Sequence, residues 1–340
     1  MARFKMEGTC WLAGLLISCT AAFFALAIGR YPIPVSDCWQ FLLALLGFSQ
    51  IEPQRYSLLY NLIVEIRLPR ILAALLVGAS LSTAGASYQA VFRNPLVSPG
   101  LLGALSGASA GAAFGILIGG SWFTIQACAF CSGLLAVGIG VGIAHLFGRG
   151  SVIMLILGGI LSGALFSSLL SGIKYVADPY DQLPAIVYWL MGSLGQVDLS
   201  DLRLAAIPML ASIVFLCALG KSLDALAMGD DEARALGIPV NAIRLIVIAL
   251  ATLISALTVS IAGMIGWIGL IVPHIARLLV GPVNARLLPA TACIGSIFLL
   301  FADGLARNLY SAEIPIGIVT ELLGIPVFLL VLHRVRKVWI

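Results

Sequence analysis

Residues 242–262 read AIRLIVIALATLISALTVSIA, an apolar run with a single charged side chain, Arg244. About 20 consecutive apolar residues are enough for a helix to cross the hydrocarbon core of a bilayer. Similar runs recur along the chain, in which 61% of the residues are hydrophobic and 10% are charged. A soluble domain carries roughly 25% charged residues, and the mean hydropathy here is +1.10. The composition therefore predicts a membrane protein.

The apolar runs are separated by charged and by Pro- or Gly-rich breaks. Because lipid offers no hydrogen-bond partner to a free backbone group, every spanning segment must be a helix. We predict an all-α polytopic membrane protein in which residues 1–340 form a single domain of about ten transmembrane helices. The predicted spans are 9–29, 66–91, 100–118, 122–147, 151–173, 202–220, 242–262, 264–280, 287–307 and 314–333.

An even number of spans places both termini on the same side of the membrane. With the termini in the cytoplasm, 12 of the 19 Lys and Arg residues lie inside and 7 lie outside, as the positive-inside rule favours. We therefore predict that both termini are cytoplasmic. The first run, Cys10 to Gly29, lacks a small-x-small cleavage site and is expected to be retained rather than removed as a signal. The net charge of +4 reflects this topology, and nucleic-acid binding is not indicated.

Residue types that could carry chemistry are scattered. The seven cysteines lie mostly inside predicted spans, so no disulfide framework is indicated. Cys128 and Cys131 have C-x-x-C spacing, but packing explains them better, and the three histidines show no metal-ligand spacing. Gly220-Lys221-Ser222 ends like a phosphate-binding loop, yet Phe215 replaces its first glycine and a strand is lacking. We predict no catalytic residue, no metal and no cofactor bound by this chain.

Glycines and internal similarity indicate how the helices pack. Glycines recur every four residues from Gly103 to Gly119 and form a glycine stripe. Small residues allow close helix contact in lipid, and bundle packing explains this stripe better than a pore lining. In addition, Leu68 to Gly107 and Ala242 to Gly281 share one pattern: an apolar helix, a Pro/Gly break and a second helix. They start on opposite sides, which predicts an inverted repeat with halves of roughly 66–173 and 242–333. The glycine stripe consists of Gly103, Gly107, Gly111, Gly115 and Gly119.

One short charged segment, GDDEARALGIP at 229–239, interrupts the apolar runs within a predicted cytoplasmic loop at 221–241. Acidic residues suit the first turn of a helix, and Gly237 followed by Pro239 would end it. We predict a short helix at which a cytoplasmic partner protein contacts the transmembrane domain. Its coupling residues are Gly229, Asp230, Asp231, Glu232, Ala233, Arg234, Leu236 and Gly237.

Several motifs, taken in order, resemble those of the FecCD-type permeases, the ten-span subunits of ABC importers for vitamin B12, haem and iron-siderophores. The similarity runs from about residue 55 onward. Trp267 and Glu321 depart from the residues usual in that family. The motifs are Ile66-Arg-Leu-Pro-Arg70, Asn94-Pro-Leu-x-x-Pro-x-Leu-Leu-Gly103, Tyr188-Trp-Leu-Met-Gly-Ser193, Gly229-x-x-x-Ala-x-x-Leu-Gly237, Ile268-Gly-Leu-x-x-Pro-His-x-x-Arg277 and Ile314-Pro-Ile-Gly-x-x-Thr320.

The resemblance implies a homodimer with one pathway along the subunit interface. It also implies two cytoplasmic ABC ATPases that hold the ATP and Mg, and a periplasmic or lipid-anchored substrate-binding protein. The location would be the prokaryotic plasma (inner) membrane, in contact with lipid. By resemblance, Arg67, Arg70 and Arg307 would dock acidic residues of the binding protein, because a guanidinium holds a carboxylate in two parallel bonds. The alternative is that these arginines anchor helix ends at lipid headgroups or pair with Glu65 and Asp303.

The resemblance places an inner gate near Gly150 and Ser151, although a simple tight turn would also account for the glycines there. Glu321 lies inside the last span, where an unpaired carboxylate is costly. It is expected to face the pathway, a polar neighbour or its symmetry mate. A capped interhelical hydrogen bond is the alternative.

Three classes of function remain. An ABC permease for an iron chelate, haem or cobalamin is the leading prediction, followed by an importer of an oxyanion such as molybdate. An ion-coupled secondary transporter would need a mid-membrane carboxylate, for which Glu321 is the main candidate and Asp303 the second. An intramembrane enzyme would need a nucleophile–base or metal constellation, and none is spaced for it.

Overall fold

A computed structural model describes residues 2–29, 31–148 and 151–339. Within these ranges the protein is almost wholly helical and contains no strand. The helices are α1 (Ala2–Ala27), α2 (Val35–Leu45), α3 (Pro53–Tyr60), α4 (Leu68–Phe92), α5 (Ala104–Leu117), α6 (Trp122–Phe147), α7 (Val152–Val176), α8 (Gln182–Leu190), α9 (Leu199–Ala218), α10 (Gly220–Met228), α11 (Asp230–Ala235), α12 (Val240–Ala262), α13 (Ile268–Val280), α14 (Asn284–Asn308) and α15 (Ile316–Trp339). A π-helical turn (Asn61–Arg67) leads into α4, and a 3-10 turn (Pro99–Leu102) precedes α5.

Each of the ten predicted spans corresponds to one helix, namely α1, α4, α5, α6, α7, α9, α12, α13, α14 and α15. The all-α prediction is therefore confirmed. By length and composition, five of the helices searched among the described residues can cross a bilayer unaided: α6, α7, α9, α12 and α14. Two others are short, with 14 residues in α5 and 13 in α13, because an irregular segment precedes each of them.

Helix α4 is the centre of the bundle and is buried along most of its length. It packs against α9, α12, α13 and α14. Small side chains make this possible, because a Cβ atom on Gly78 would overlap the backbone of Gly295 in α14. Some of its polar groups bond locally or to neighbours, whereas the hydroxyls of Ser80, Thr83 and Ser87 are buried with no hydrogen-bond partner among the described residues. Ser82 donates to the carbonyl oxygen of Gly78 at 2.7 Å, and the hydroxyls of Tyr88 and Thr252 lie 2.7 Å apart.

The packing pairs repeat between two sets of four helices. Helix α4 contacts α13 and α14, as α12 contacts α5 and α6. Likewise α5 contacts α6 and α7, as α13 contacts α14 and α15, and α6 contacts α7 as α14 contacts α15. Each helix of the second set follows its counterpart in the first set by an odd number of spans. Because the chain reverses direction at every span, corresponding helices run in opposite directions. This arrangement supports the predicted inverted repeat.

The glycine stripe on α5 lies against α6. Cβ atoms on Gly107 and Gly111 would overlap the backbone of Ser132 and Cys128, respectively. Gly103 instead faces Gly163 of α7. Bundle packing is therefore confirmed for Gly103, Gly107 and Gly111, whereas a Cβ atom on Gly119, beyond the end of α5, would meet nothing within 4 Å.

Candidate functional site

The charged segment folds as the short helix α11, attached to the bundle through α10. Gly229 has φ 146° and breaks the chain between these two helices. At the other end, Ile238 N–H donates to the carbonyl oxygen of Ala233 and Gly237 N–H to that of Arg234. With Gly237 at φ 77°, this is a Schellman closure, which favours glycine for its left-handed conformation. The predicted helix and its stop are thus present.

Helix α11 has an outer and an inner face. On the outer face, Asp231 and Arg234 form an exposed ion pair at 2.8 Å. Glu232 is also exposed, and Leu236 is 62% exposed with an apolar side chain in water. Ala233 lies on the inner face and is completely buried. The predicted coupling set is therefore divided, and Ala233 is a packing residue rather than part of an exposed apolar contact.

Asp230 also points inward. Its carboxylate accepts hydrogen bonds from Arg244 at the start of α12, with Nη2 3.0 Å from each oxygen. It also pairs with Arg93, the residue that ends α4. Burial alone would raise the pKa of Asp230. The hydrogen bond from Arg244 and the positive charges of Arg244 and Arg93 outweigh that effect and hold the pKa below its ordinary value.

A second carboxylate, missed in the sequence, holds α10. Asp224 accepts from the backbone N–H groups of Asn284 at 2.6 Å and Ala285 at 3.4 Å. These groups open α14 and have no partner inside their own helix, so Asp224 caps α14 from a different segment. The sequence did not predict this contact, because no sequence pattern relates Asp224 to Asn284, which lies 60 residues further along the chain.

The three predicted docking arginines come together at the outer end of α4 and α14. Arg70 donates from Nε to Asp303 at 2.8 Å and from Nη1 to Glu313 at 2.9 and 3.0 Å. Arg307 lies 3.0 Å from the other oxygen of Asp303. Arg67 donates to the carbonyl oxygens of Leu26 and Tyr31, near the end of α1.

All three arginines are buried in the single chain, with side chains of Arg70 and Arg307 exposed by 10% and 7%. The pairing with Asp303, given above as the alternative, is present. Glu65 is not a partner in any contact found among the described residues; Glu313 is. Docking itself stays a prediction.

Of the predicted gate, Gly150 lies outside the described residues. Ser151 begins α7, where its hydroxyl accepts from Met154 N–H at 3.4 Å as an N-cap. A cavity of about 330 Å³ lies beside it, between α6, α7 and α12. Its polar lining includes His145, Asn241 and Arg244. The gate therefore stays a prediction, now with a cavity next to it.

Glu321 is exposed on the outer part of α15. Its carboxylate lies beside Gly266, in the irregular segment between α12 and α13. No hydrogen bond or ion pair from the described residues reaches it, and its neighbours Leu322 and Ile325 are exposed and apolar. The capped interhelical hydrogen bond considered above is absent in the described part of the chain, and a pathway role for Glu321 stays a prediction.

The chain matches the model of the FecCD transport family over residues 15–334. It belongs to the FecCD transport family. Its similarity to the molybdate import system permease protein MolB of Haemophilus influenzae is 37% identity over 322 residues, which covers 95% of this chain and 94% of that protein. It is 39% identical to a probable iron chelatin transport system permease protein of Helicobacter pylori, over 85% of this chain and 87% of that protein.

Two further likenesses accompany this FecCD assignment. The vitamin B12 import system permease protein BtuC of Salmonella paratyphi A is 40% identical over 79% of this chain and 83% of its own. A solved structure described as an inward-facing metal-chelate type ABC transporter gives a TM-score of 0.85 at 36% identity, covering 96% of this chain and 99% of that one. The resemblance inferred from the motifs is thus confirmed, and this FecCD protein is a multi-pass membrane protein.

Proposed function

We propose that this chain is the transmembrane permease subunit of a binding-protein-dependent ABC importer in a prokaryotic inner membrane. Two copies form one pathway, two cytoplasmic ATPases drive it, and a binding protein delivers the substrate from outside. ATP and Mg bind the ATPases, and this chain performs no hydrolysis. The observation that carries the proposal is α11, a capped helix with an exposed face on the predicted cytoplasmic side of a FecCD family member.

The exposed face of α11 is suited to contact with the ATPase, which drives the transport cycle and is called the motor below. Asp231, Glu232 and Arg234 offer charges for orientation, while Leu236 offers an apolar side chain that is 62% exposed. An apolar residue surrounded by polar ones is typical of the small contact centres of protein interfaces. This face is proposed to occupy a cleft of the ATPase.

The outer arginine cluster is proposed to meet the binding protein. Arg67, Arg70 and Arg307 supply three positive charges against the two negative charges of Asp303 and Glu313. Arg307 Nη2 is buried and has no hydrogen-bond partner among the described residues. A surplus cation with an unused donor favours an incoming carboxylate. Because the arginines are buried, Glu313, 35% exposed, would have to move aside.

For the substrate we propose an iron chelate, with haem and cobalamin as related possibilities of the same class. Relatives named for iron chelatin and vitamin B12 support a bulky metal complex. Molybdate is the second candidate, favoured by the MolB similarity across 95% of this chain. An exposed acid at Glu321 favours the chelate, since a carboxylate on the pathway repels a small oxyanion.

Uptake by proteoliposomes tests these proposals. The permease is reconstituted with an ATPase and a binding protein identified by co-purification from the source cells, and ATP is enclosed. Accumulation of a radiolabelled ferric hydroxamate supports the first substrate, and accumulation of radiolabelled molybdate supports the second. ATP-independent uptake driven by a proton gradient, and lost in Glu321→Gln, would instead establish an ion-coupled carrier.

A further inference from the structure

Two carboxylates tie the α10–α11 segment to three membrane helices. Asp230 joins α11 to the end of α4 through Arg93 and to the start of α12 through Arg244. Asp224 joins α10 to the first residues of α14. We call these two side chains and the groups they bond the aspartate linkage.

The bonds to Asp230 are charge-assisted, and the one from Arg244 is largely shielded from water, whereas Arg93 is 38% exposed. Arg244 has a side chain only 5% exposed, so water competes little for its contact with the carboxylate. Arg93 bonds to two partners in this segment, because its Nε also donates to the carbonyl oxygen of Leu226 in α10 at 2.7 Å. Charge-assisted hydrogen bonds are shorter and about twice as strong as neutral ones. Helix α11 therefore cannot shift far without pulling on α4 and α12.

The contact at Asp224 is equally direct. Its carboxylate accepts from the free N–H groups at the positive end of the 25-residue helix α14, where a negative charge is favoured. Close packing fixes the distance, because a Cβ atom on Gly220 would lie 2.6 Å from the Cα of Ala285. The segment thus holds α14 at its first turn.

The three helices α4, α12 and α14 are distributed over the two predicted halves. Helix α4 lies in the first half, and α12 is its counterpart in the second, which also contains α14. A displacement applied to α11 from the cytoplasm would reach both halves through side chains that face away from the motor.

We propose that Asp224 and Asp230 are positioning residues, which pass movement of the ATPase-contacting helix to α4, α12 and α14. This inference rests on the proposed function. The outer face of α11 binds the motor, and the aspartate linkage couples the motor to the pathway. Substrate moved per ATP hydrolysed therefore depends on two residues that touch neither the ATPase nor the substrate.

The experiment measures coupling separately from assembly. Asp230→Asn, Asp224→Asn and the control Lys221→Gln are each reconstituted with the ATPase and the binding protein. The control removes an exposed charge from α10 that lies outside the linkage. Co-purification of the ATPase, the rate of ATP hydrolysis and uptake of radiolabelled ferric hydroxamate and molybdate are recorded, together with the melting temperature in detergent.

Both Asn variants are expected to co-purify with the ATPase, since the outer face of α11 is unchanged. Uptake per ATP should fall about tenfold, the factor that corresponds to loss of roughly 1.4 kcal/mol of charge-assisted bonding. Lys221→Gln should keep the wild-type ratio, and Asp230→Glu, which preserves the charge, should recover part of it. A purely structural role would lower the melting temperature while leaving the ratio of the assembled complex intact.

The outcomes separate the linkage from the proposed function. Wild-type uptake with an unchanged ratio in both Asn variants would overturn the linkage alone. Loss of ATPase co-purification in Asp230→Asn would overturn it too, because Asp230 would then belong to the motor interface. Failure of the wild-type chain to co-purify with the ATPase, together with ATP hydrolysis that the binding protein does not stimulate, would remove the proposed function and the linkage with it.

Discussion

The backbones of Gly85 in α4 and Gly269 in α13 are in direct contact. A Cβ atom on Gly85 would overlap the carbonyl group of Gly269, and one on Gly269 would lie 2.8 Å from Cδ of Pro99. The contact lies where the central helix meets the break that precedes α5. Both positions therefore require glycine, because any larger side chain would overlap its neighbours.

Replacing Gly85 by alanine should destabilise the protein. Either the backbone of α13 moves away or α4 shifts, and overpacking of this kind costs about 1–3 kcal/mol. The matched control is Gly142→Ala in α6, where an added Cβ meets nothing within 4 Å. Thermal unfolding in detergent should show a clear drop for the first variant only, and equal melting temperatures would contradict the close contact.

Asp303 should be essential for stability, because it is the shared partner of two buried arginines. In Asp303→Ala, Arg70 retains Glu313, whereas Arg307 keeps no ion-pair partner among the described residues. Breaking a buried pair in this way costs about 3–5 kcal/mol. Glu313→Gln is the comparison, as it removes a partly exposed carboxylate and should cost under about 1 kcal/mol. Unfolding in denaturant measures both, and similar losses would show that the cluster is less buried than described.

Glu313→Gln should also strengthen docking of the binding protein. Glu313 occupies Nη1 of Arg70, so an incoming carboxylate has to displace it. Removal of the competing charge should raise the affinity of the detergent-solubilised complex for the binding protein and steepen its salt dependence. Surface plasmon resonance at two salt concentrations provides the test. Unaltered affinity would argue that Arg70 serves only inside the chain.

Leu236 should matter for assembly and not for folding. Its side chain is 62% exposed, so Leu236→Ala removes little intramolecular contact. If α11 enters an ATPase cleft, this variant should co-purify with less ATPase while its melting temperature stays at the wild-type value. The control is Leu204→Ala, at a 71% exposed leucine of α9. Equal recovery of ATPase with both variants would count against the proposed contact.

The predicted gate can be examined with Ser151→Cys on a background in which the native cysteines are replaced. Cross-linking between the two copies should occur in one nucleotide state only. Because Ser151 caps α7, the substitution should also cost about 0.5–2 kcal/mol, so the melting temperature must be followed in parallel. Tyr175→Cys, at the exposed opposite end of the same helix, is the control. Equal cross-linking in all nucleotide states would exclude a gate at this position.

The positions of the spans followed from the sequence because bilayer thickness imposes a length that hydropathy can measure. The helix at α11 also followed, since Gly229, the acidic first turn and Gly237 are local signals. Helices α2, α3, α8 and α10 did not, because short helices at a membrane surface lack a distinctive apolar length. The contacts of Asp224 and Asp230 were beyond prediction as well, and the pairing of Arg70 with Asp303 followed only as an alternative to docking. Arg70 and Asp303 are 233 residues apart, and no local rule relates their side chains.

The small size of α13 affects how the protein is made. Thirteen helical residues extend only about 20 Å, whereas the hydrocarbon core is about 30 Å thick. While the chain is being synthesised, this segment therefore cannot settle across the membrane by itself. Helix α13 packs against α14, so we expect the two to enter the bilayer together as a helical hairpin instead of one helix at a time.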